Sequence, residues 1–147
     1  MEQEELQERM LSAWIGLNGM LKDSRMTQDL TYNEAIVMKL VYDQYKADGV
    51  GQTTMRHIVK ETRMVKSLVN RTVDSLCAQG YLHKERDETD ARNLFVLPQA
   101  ERLEDFLAVH RHSLQMVQSV IDVIGQEYAQ AFVHMYEKLS TANLQFQ

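Results

Sequence analysis

Residues 53–80 read TTMRHIVKETRMVKSLVNRTVDSLCAQG, and this stretch decides the fold. Apolar residues recur there at helical spacing in two groups, which are Met55, Ile58 and Val59, then Leu68, Val69, Val73, Leu76 and Cys77. The two predicted helices, residues 53–62 and 65–79, are separated only by a short turn. Gly80 follows the second helix, where a left-handed cap is common. Two helices joined in this way are typical of a helix-turn-helix.

Two more helices are predicted before this stretch. An amphipathic helix over residues 4–21 carries apolar side chains at three- and four-residue spacing, at Leu6, Met10, Trp14, Leu17 and Leu21. The polar residues 22–29 interrupt it. Thr31 and Glu34 then form a capping box, which starts a second helix that ends before the glycine-rich link at residues 48–51.

The chain after Gly80 predicts a hairpin and two final helices. Residues 81–86 and 93–97 are β-prone and enclose a polar segment. We expect Pro98 to open a long helix that reaches Ile124, because proline is tolerated in a first helical turn. Gly125 separates it from a last helix over residues 126–139. The predicted fold is therefore mainly α with a small β-hairpin wing: a winged helix-turn-helix core flanked by N- and C-terminal helices.

The composition is that of one globular domain, with 147 residues, 44% of them hydrophobic and 25% charged. The single Cys77 excludes a disulfide framework within the chain and a multi-cysteine zinc finger. No apolar run approaches the roughly 20 residues of a membrane span, and the acidic start is unlike a signal peptide. We therefore expect a cytoplasmic protein with no membrane partner and a single domain over residues 1–147.

The charge distribution is strongly asymmetric. The whole chain has a net charge of −5, yet residues 53–72 hold five basic residues and one acid, a local charge of +4. The rest of the chain therefore carries −9. A cationic region on an anionic body is the pattern expected when one face of a protein meets phosphate.

Three short motifs follow each other at fixed separations: RTVDSL at residues 71–76, GYL at residues 80–82 and DAR at residues 90–92. Together with the predicted element order, they make residues 30–102 resemble the MarR family of winged helix-turn-helix transcription regulators. The resemblance implies a homodimer whose long terminal helices interleave and whose two winged domains dock on a pseudo-palindromic operator in double-stranded DNA. It also implies a DNA-binding core at residues 30–97, with dimerisation helices at residues 1–29 and 98–147.

This chain departs from the family pattern around the wing. Lys84 stands where the family usually has an arginine, with Arg86 two residues further on, and Arg102 replaces a family glycine. Pro98 and Gln99 replace the usual Leu-Thr. The wing tip carries three carboxylates, which repel phosphate, so we expect it to enter the minor groove less deeply; they belong to Asp87, Glu88 and Asp90.

The expected DNA contacts lie on the helix-turn-helix and on the wing. The second helix of such a pair presents its N-terminal half to base edges, and its polar outer residues are Lys66, Ser67, Asn70 and Arg71. The start of the first helix offers phosphate contacts at Thr53, Thr54 and Arg56, and Arg63 in the turn is a further expected DNA contact. By resemblance, Asp90 holds the shape of the wing and Arg92 reaches DNA, joined by Lys84 and Arg86. The alternative is an ordinary solvated surface.

The resemblance also implies a small-molecule effector. In the family, a ligand between the dimerisation and DNA-binding parts changes the spacing of the recognition helices and releases a repressor from its operator. We expect a small aromatic or lipophilic effector, with a pocket formed by Trp14, Tyr32, Met38, Met64, Phe106 and His110. Plain core is an equally good interpretation of each of these residues.

Two other interpretations stay open. One is a metal- or redox-responsive regulator of the same fold. His110 and His112 point about 200° apart on a helix and cannot share a metal ion. Cys77 lies on an apolar stripe, which favours an inert thiol. The other is a winged protein-interaction module that does not bind DNA. No catalytic constellation can be assembled at sensible spacing, so we expect neither an enzyme nor a cofactor nor a metal site.

Overall fold

The computed structural model describes residues 1–23 and 30–144. A short 3₁₀ helix spans Ala100–Arg102. The helices and strands, in chain order, are α1 (Gln3–Asp23), α2 (Tyr32–Asp48), β1 (Thr53–Thr54), α3 (Met55–Thr62), α4 (Lys66–Ala78), β2 (Leu82–Arg86), β3 (Leu94–Pro98), α5 (Leu103–Ile124) and α6 (Gln126–Thr141). The predicted fold class, mainly α with a β wing, is confirmed.

The helix-turn-helix is formed by α3 and α4, as the sequence predicts. The turn between them is closed by Thr62, whose hydroxyl donates to the carbonyl of Ile58 (2.7 Å) and accepts from the amide of Met64 (3.2 Å). Arg63 turns the chain in the left-handed region, with φ 57°. At the far end of α4, Gly80 has φ 87°, which confirms the predicted left-handed cap.

The β structure is a three-stranded antiparallel sheet in the order β1-β3-β2. Strands β2 and β3 form the predicted hairpin, with Lys84 opposite Val96. Strand β1 was not expected, because the sequence pattern starts the first helix of the pair at Thr53. That start is wrong: Thr53 pairs with Val96, and α3 begins only after Thr54.

Pro98 belongs to β3 and does not open the long helix. It is the last residue of the strand and stands opposite Leu82. Val96 and Pro98 are buried while Leu97 between them is less so, which is the alternation of a strand. The ring of Pro98 contacts Gly51, where an added Cβ would lie only 2.8 Å from Cδ of the proline. The apolar run at residues 94–98 therefore continues the strand to its end.

The core of the winged part is a single apolar cluster contributed by α2, α3, α4, the sheet and the start of α5. The capping box of α2 is present as predicted, with Thr31 and Glu34 exchanging backbone and side-chain hydrogen bonds. The fully buried side chains are Leu30, Val37, Val41, Ile58, Val69, Val73, Leu76, Leu82, Val96 and Phe106. These residues hold α4 so that its opposite face is left in solvent.

The chain divides into two compact units, Met1–Ser113 and Leu114–Gln147. The first unit contains the winged part and α1, whose apolar side chains are largely exposed, Trp14 among them at 54%. The second unit holds the end of α5 and α6 and also exposes many large apolar side chains. Helix α1 runs to Asp23, and residues 24–29 of the predicted polar break lie outside the described residues. No described helix is long and apolar enough to cross a membrane.

Candidate nucleic-acid interface

The start of α3 separates the two threonines expected to contact phosphate. Thr54 caps the helix, since its hydroxyl accepts from the amide of His57 at 3.0 Å. Arg56 is exposed in the first turn. Thr53, in contrast, is only 3% exposed and its hydroxyl donates to the carbonyl of Gly51 at 3.1 Å. A buried hydroxyl already in use cannot reach a phosphate, so the expectation for Thr53 does not fit its position.

The turn and the first half of α4 present their polar side chains together on the outer face. Arg63, Lys66, Ser67 and Arg71 are exposed, and Asn70 is half-buried between them and the core face. The buried residues of the same helix, Val69, Thr72, Val73 and Leu76, fix this orientation. The local structure therefore brings the predicted base-reading residues onto one surface.

The cations of this surface have no carboxylate partner within residues 1–23 and 30–144. Within the described part of the chain, no Asp or Glu forms an ion pair with Arg56, Lys60, Arg63, Lys66 or Arg71. All five side chains belong to exposed residues. Unpaired cations grouped on one face attract a polyanion, because each can neutralise one phosphate and release its counterion.

The wing tip is organised by hydrogen bonds from its own charged residues. One carboxylate oxygen of Asp90 accepts from the backbone amide and from Nε of Arg92, both at 3.1 Å. Arg86 donates from Nη1 to the carbonyl of Ala91 at 2.8 Å, which ties the loop back to β2. Asp87 accepts from both the amide and the hydroxyl of Thr89, and these bonds lower the pKa of its carboxyl. The guanidinium of Arg92, followed by its backbone amide, likewise lowers the pKa of Asp90.

Lys84 is not available to DNA in the way that the family pattern implies. Its ammonium group forms an ion pair with the carboxylate of Asp74 on α4. Because β2 runs back beside α4, Lys84 is brought close to this carboxylate, and neither Arg71 nor Arg92 pairs with Asp74.

Arg102 holds the C-terminal end of α4, a role that the sequence analysis missed. Its Nη1 donates to the carbonyl of Gln79, and its guanidinium lies over the ring of Tyr81, 5.1 Å from the centroid. Its Nε donates to Asp105 at 2.9 Å. A larger residue at position 80 would displace the guanidinium and would also have to adopt the left-handed φ of 87°. The start of α5 is thereby tied to the C-terminal end of α4.

Glu34 ties α2 to the same helix from the other side. It is 6% exposed, and its Oε2 accepts from the hydroxyl of Ser75 at 2.8 Å and from Nε2 of Gln79 at 2.6 Å. Its Oε1 accepts from the amide of Thr31 at 2.9 Å. Burial alone would raise the pKa of Glu34, but these hydrogen bonds to the charged form outweigh it, and the pKa lies below its usual value.

The residues expected to form an effector pocket do not share one environment. Met38 and Phe106 are buried in the core cluster, and Met64 packs against it. Tyr32 is half-buried at the start of α2, whereas Trp14 is exposed on α1.

His110 has an aromatic partner that the sequence did not predict. It stacks on Tyr42, with ring centroids 3.4 Å apart and planes at 9°. Burial, followed by the charge of Lys39, lowers the pKa of His110. The stacked pair supplies a flat aromatic surface at one edge of the core.

The groups considered for metal or redox chemistry are placed separately. Burial raises the pKa of the Cys77 thiol, which lowers its thiolate fraction and hence its reactivity. In residues 1–23 and 30–144, no three His, Cys, Asp or Glu side chains are grouped so that they could hold a metal ion.

Comparison with known proteins gives one family and a set of structural neighbours. The MarR family model matches residues 29–93. No curated protein matches the chain significantly in sequence. A MarR-family transcriptional regulator of Streptomyces coelicolor, solved in complex with DNA, is similar with a TM-score of 0.72 and 16% identity, over 99% of this chain and 94% of that chain.

Two further solved structures are similar over nearly their whole length. The transcriptional regulator BldR of Sulfolobus solfataricus has a TM-score of 0.72 and 15% identity, covering 96% of this chain and 99% of that chain. Bordetella bronchiseptica BpsR, whose DNA binding is regulated by 6-hydroxynicotinic acid, has a TM-score of 0.64 and 20% identity, covering 95% of this chain and 99% of that chain.

At these identities the neighbours share the fold with this chain. The family match covers the helix-turn-helix and the tip of the wing, including the three motifs at residues 71–76, 80–82 and 90–92. The resemblance seen in the sequence is thus confirmed: residues 29–93 match the MarR family model, and the chain shares the winged helix-turn-helix fold of MarR-family transcriptional regulators.

Proposed function

We propose that the chain is a sequence-specific DNA-binding transcription regulator that inserts α4 into the major groove. The observation that carries this proposal is the group of exposed cations on α3, the turn and α4, which form no ion pair with the part of the chain that the structure describes. Arg63 and Lys66 lie at the end of α4 that enters the groove in a helix-turn-helix complex. Ser67 and Asn70 beside them offer hydrogen bonds to base edges, with asparagine suited to adenine.

The proposed contacts fall into two kinds. Thr54, Arg56 and Arg63 contact phosphate and set the position of the domain on the duplex. Lys66, Ser67, Asn70 and Arg71 read base edges. The wing contributes less: Arg86 is engaged with its own loop, and Lys84 is paired with Asp74. Arg92 remains 90% exposed despite its bond to Asp90, and it is the wing residue that we propose to reach DNA.

We propose that the protein acts as a homodimer. Each unit of the chain exposes apolar side chains at helical spacing, which a single copy leaves in water. In the first unit these are Leu6, Met10, Leu11, Trp14, Ile15 and Leu17; in the second they are Leu114, Val117, Val120, Tyr128, Phe132, Val133 and Leu139. A two-fold dimer places two recognition helices about 34–36 Å apart, which matches a pseudo-palindromic operator.

We further propose a repressor that a small aromatic or lipophilic molecule releases from its operator. The stacked Tyr42 and His110, at the edge of the core, offer a flat aromatic surface suited to such a ligand. The regulation of BpsR by 6-hydroxynicotinic acid supports an aromatic class. Because such a regulator works on chromosomal DNA, we infer a cytoplasmic location.

The test is selection of binding sites from random duplexes by the purified full-length protein, followed by titration of a recovered duplex at several salt concentrations. We expect a palindromic motif and a binding constant that falls steeply with salt, since neutralised phosphates release counterions. Lys66→Ala should weaken the selected site by about 1–3 kcal/mol and change binding to random DNA little. The matched control, Lys39→Ala, removes an equal charge from α2, where Lys39 is already paired with Asp43.

Sedimentation in the same samples tests the assembly. A folded monomer at micromolar concentration would contradict the proposed dimer. Failure to recover any motif, with no salt-dependent binding to duplex, would contradict DNA binding and support an interaction module. Binding that requires zinc or an oxidant would instead support a metal- or redox-responsive regulator of this fold.

A further inference from the structure

Val65 is an apolar residue directly before α4. A polar side chain at this position would make the helix more stable. This valine is the N-cap residue of α4, with φ −65° and ψ 148°, and it makes no side-chain capping bond. Val65 is 67% exposed, whereas Val69, one turn later in α4, is fully buried. Val65 therefore serves neither the core nor the helix end.

The other helices of the winged part show what is missing. Threonine caps both: Thr31 accepts from the amide of Glu34 at the start of α2, and Thr54 accepts from that of His57 at the start of α3. Valine has the shape of threonine with a methyl group in place of the hydroxyl. A side chain that caps a helix stabilises it relative to an apolar residue at the same position, so α4 lacks this contribution.

The residues on either side of Val65 indicate a role for its exposed methyl groups. Arg63 before it and Lys66 after it are exposed and unpaired within the described residues, and both belong to the surface proposed to meet DNA. In that docking, the first residues of α4 face base edges in the major groove. The apolar group that this groove offers is the C5-methyl of thymine.

We propose that Val65 packs against a thymine methyl group in each half-site, so that it determines specificity at one base pair of the operator. The proposal rests on the proposed function, since it requires α4 to lie in the major groove. The contact excludes water from two methyl-bearing surfaces and discriminates thymine from every base that lacks the methyl. Serine at the same place would cap the helix but would offer no methyl group for this contact.

The experiment removes one methyl group at a time from the DNA. In a duplex recovered by selection, each thymine is replaced in turn by deoxyuridine, which leaves the hydrogen-bonding edges unchanged. Affinity is measured by fluorescence anisotropy with the full-length protein. We expect one position in each half-site at which the wild-type affinity falls about fourfold, the value of one buried methyl group.

The same series is measured with Val65→Ser, which supplies a capping hydroxyl and has no methyl group. Thermal melting should show a protein at least as stable as the wild type, while the loss at the sensitive position should fall to less than 1.5-fold, roughly the error expected of a null coupling. Val50→Ser is the matched control, because Val50 is also exposed but lies in the link before β1. This variant should keep the full sensitivity.

Three results distinguish a failure of the proposed Val65 contact from a failure of the proposed DNA-binding function. A fourfold loss that disappears in Val65→Ser and persists in Val50→Ser supports the contact. Equal losses in all three proteins, or none in any, would overturn it while leaving selective DNA binding intact. If no duplex is selected in the first place, the proposed function fails and the assignment of Val65 fails with it.

Discussion

Replacement of Glu34 by glutamine should lower the free energy of unfolding of the whole winged part, and not only the stability of one helix end. The glutamine keeps an oxygen for the amide of Thr31 but places an amino group where Oε2 accepts from Ser75 at 2.8 Å and from Gln79 at 2.6 Å. Two hydrogen bonds to a charged, buried acceptor are lost, each worth about 1.5–3 kcal/mol. Since the hydroxyl of Ser75 can rotate to accept, we expect a total loss of about 2–4 kcal/mol.

The loss should depend on pH in a defined direction. The pKa of Glu34 in the folded protein lies below the ordinary value of 4.5, so its contribution is complete above that value. As the pH falls through the folded pKa, the wild-type carboxylate is protonated and loses its advantage, whereas Glu34→Gln does not titrate. The difference in stability between the two proteins should therefore shrink below pH 4.5.

Urea unfolding at pH 7 and at pH 4, followed by circular dichroism at one fixed protein concentration, measures both effects. The midpoint should fall at unchanged slope, because the surface exposed on unfolding is the same. Asp43→Asn is the control on the same helix: its ion pair with Lys39 is exposed and should change the free energy of unfolding by less than about 1 kcal/mol. A loss below about 1 kcal/mol for Glu34→Gln, or a difference that grows in acid, would refute the reasoning.

Three further changes test other parts of the surface. Arg102→Ala removes the donor to the carbonyl of Gln79 and should lower the free energy of unfolding by about 1–3 kcal/mol in thermal melts; no change would contradict the anchoring role. Arg63→Gly keeps the left-handed turn, so stability should stay within about 1 kcal/mol of the wild type. Its DNA affinity should fall, however, and the slope against salt should drop by about one in filter-binding titrations. Asp74→Asn frees Lys84 and should tighten DNA binding at low salt by less than about 1 kcal/mol, an effect absent at high salt if the charge is responsible.

The elements that depend on residues close together in the sequence were predicted correctly. The two helices of the pair, the hairpin and the capping box of Thr31 and Glu34 all follow from spacings of a few residues. Strand β1 and the true place of Pro98 did not follow, because both depend on pairing across the sheet. Thr53 is strand because Val96 lies opposite it, and no local pattern shows that partner.

The charged contacts show the same limit. Sequence reasoning placed cations on the outer face of α4 correctly, since helical periodicity separates that face from the buried one. It did not find that Glu34 reaches Gln79, 45 residues away, or that Arg102 reaches the same residue across 23 positions. Tertiary packing brings these residues together, and a count of charges along the sequence does not identify their partners.

The close approach of Arg102 to Gly80 makes the two positions mutually dependent. Any side chain at residue 80 would displace the guanidinium, and it would also meet the left-handed φ of 87°. A chain with glycine in place of Arg102 would leave open space above residue 80, so that only the backbone strain would oppose a larger residue there. The cost of Gly80→Ala should thus be smaller in an Arg102→Gly background than alone. A larger residue at position 80 is therefore tolerated better after Arg102 has been replaced than before. The C-terminal end of α4 thus makes substitutions at these two positions depend on each other.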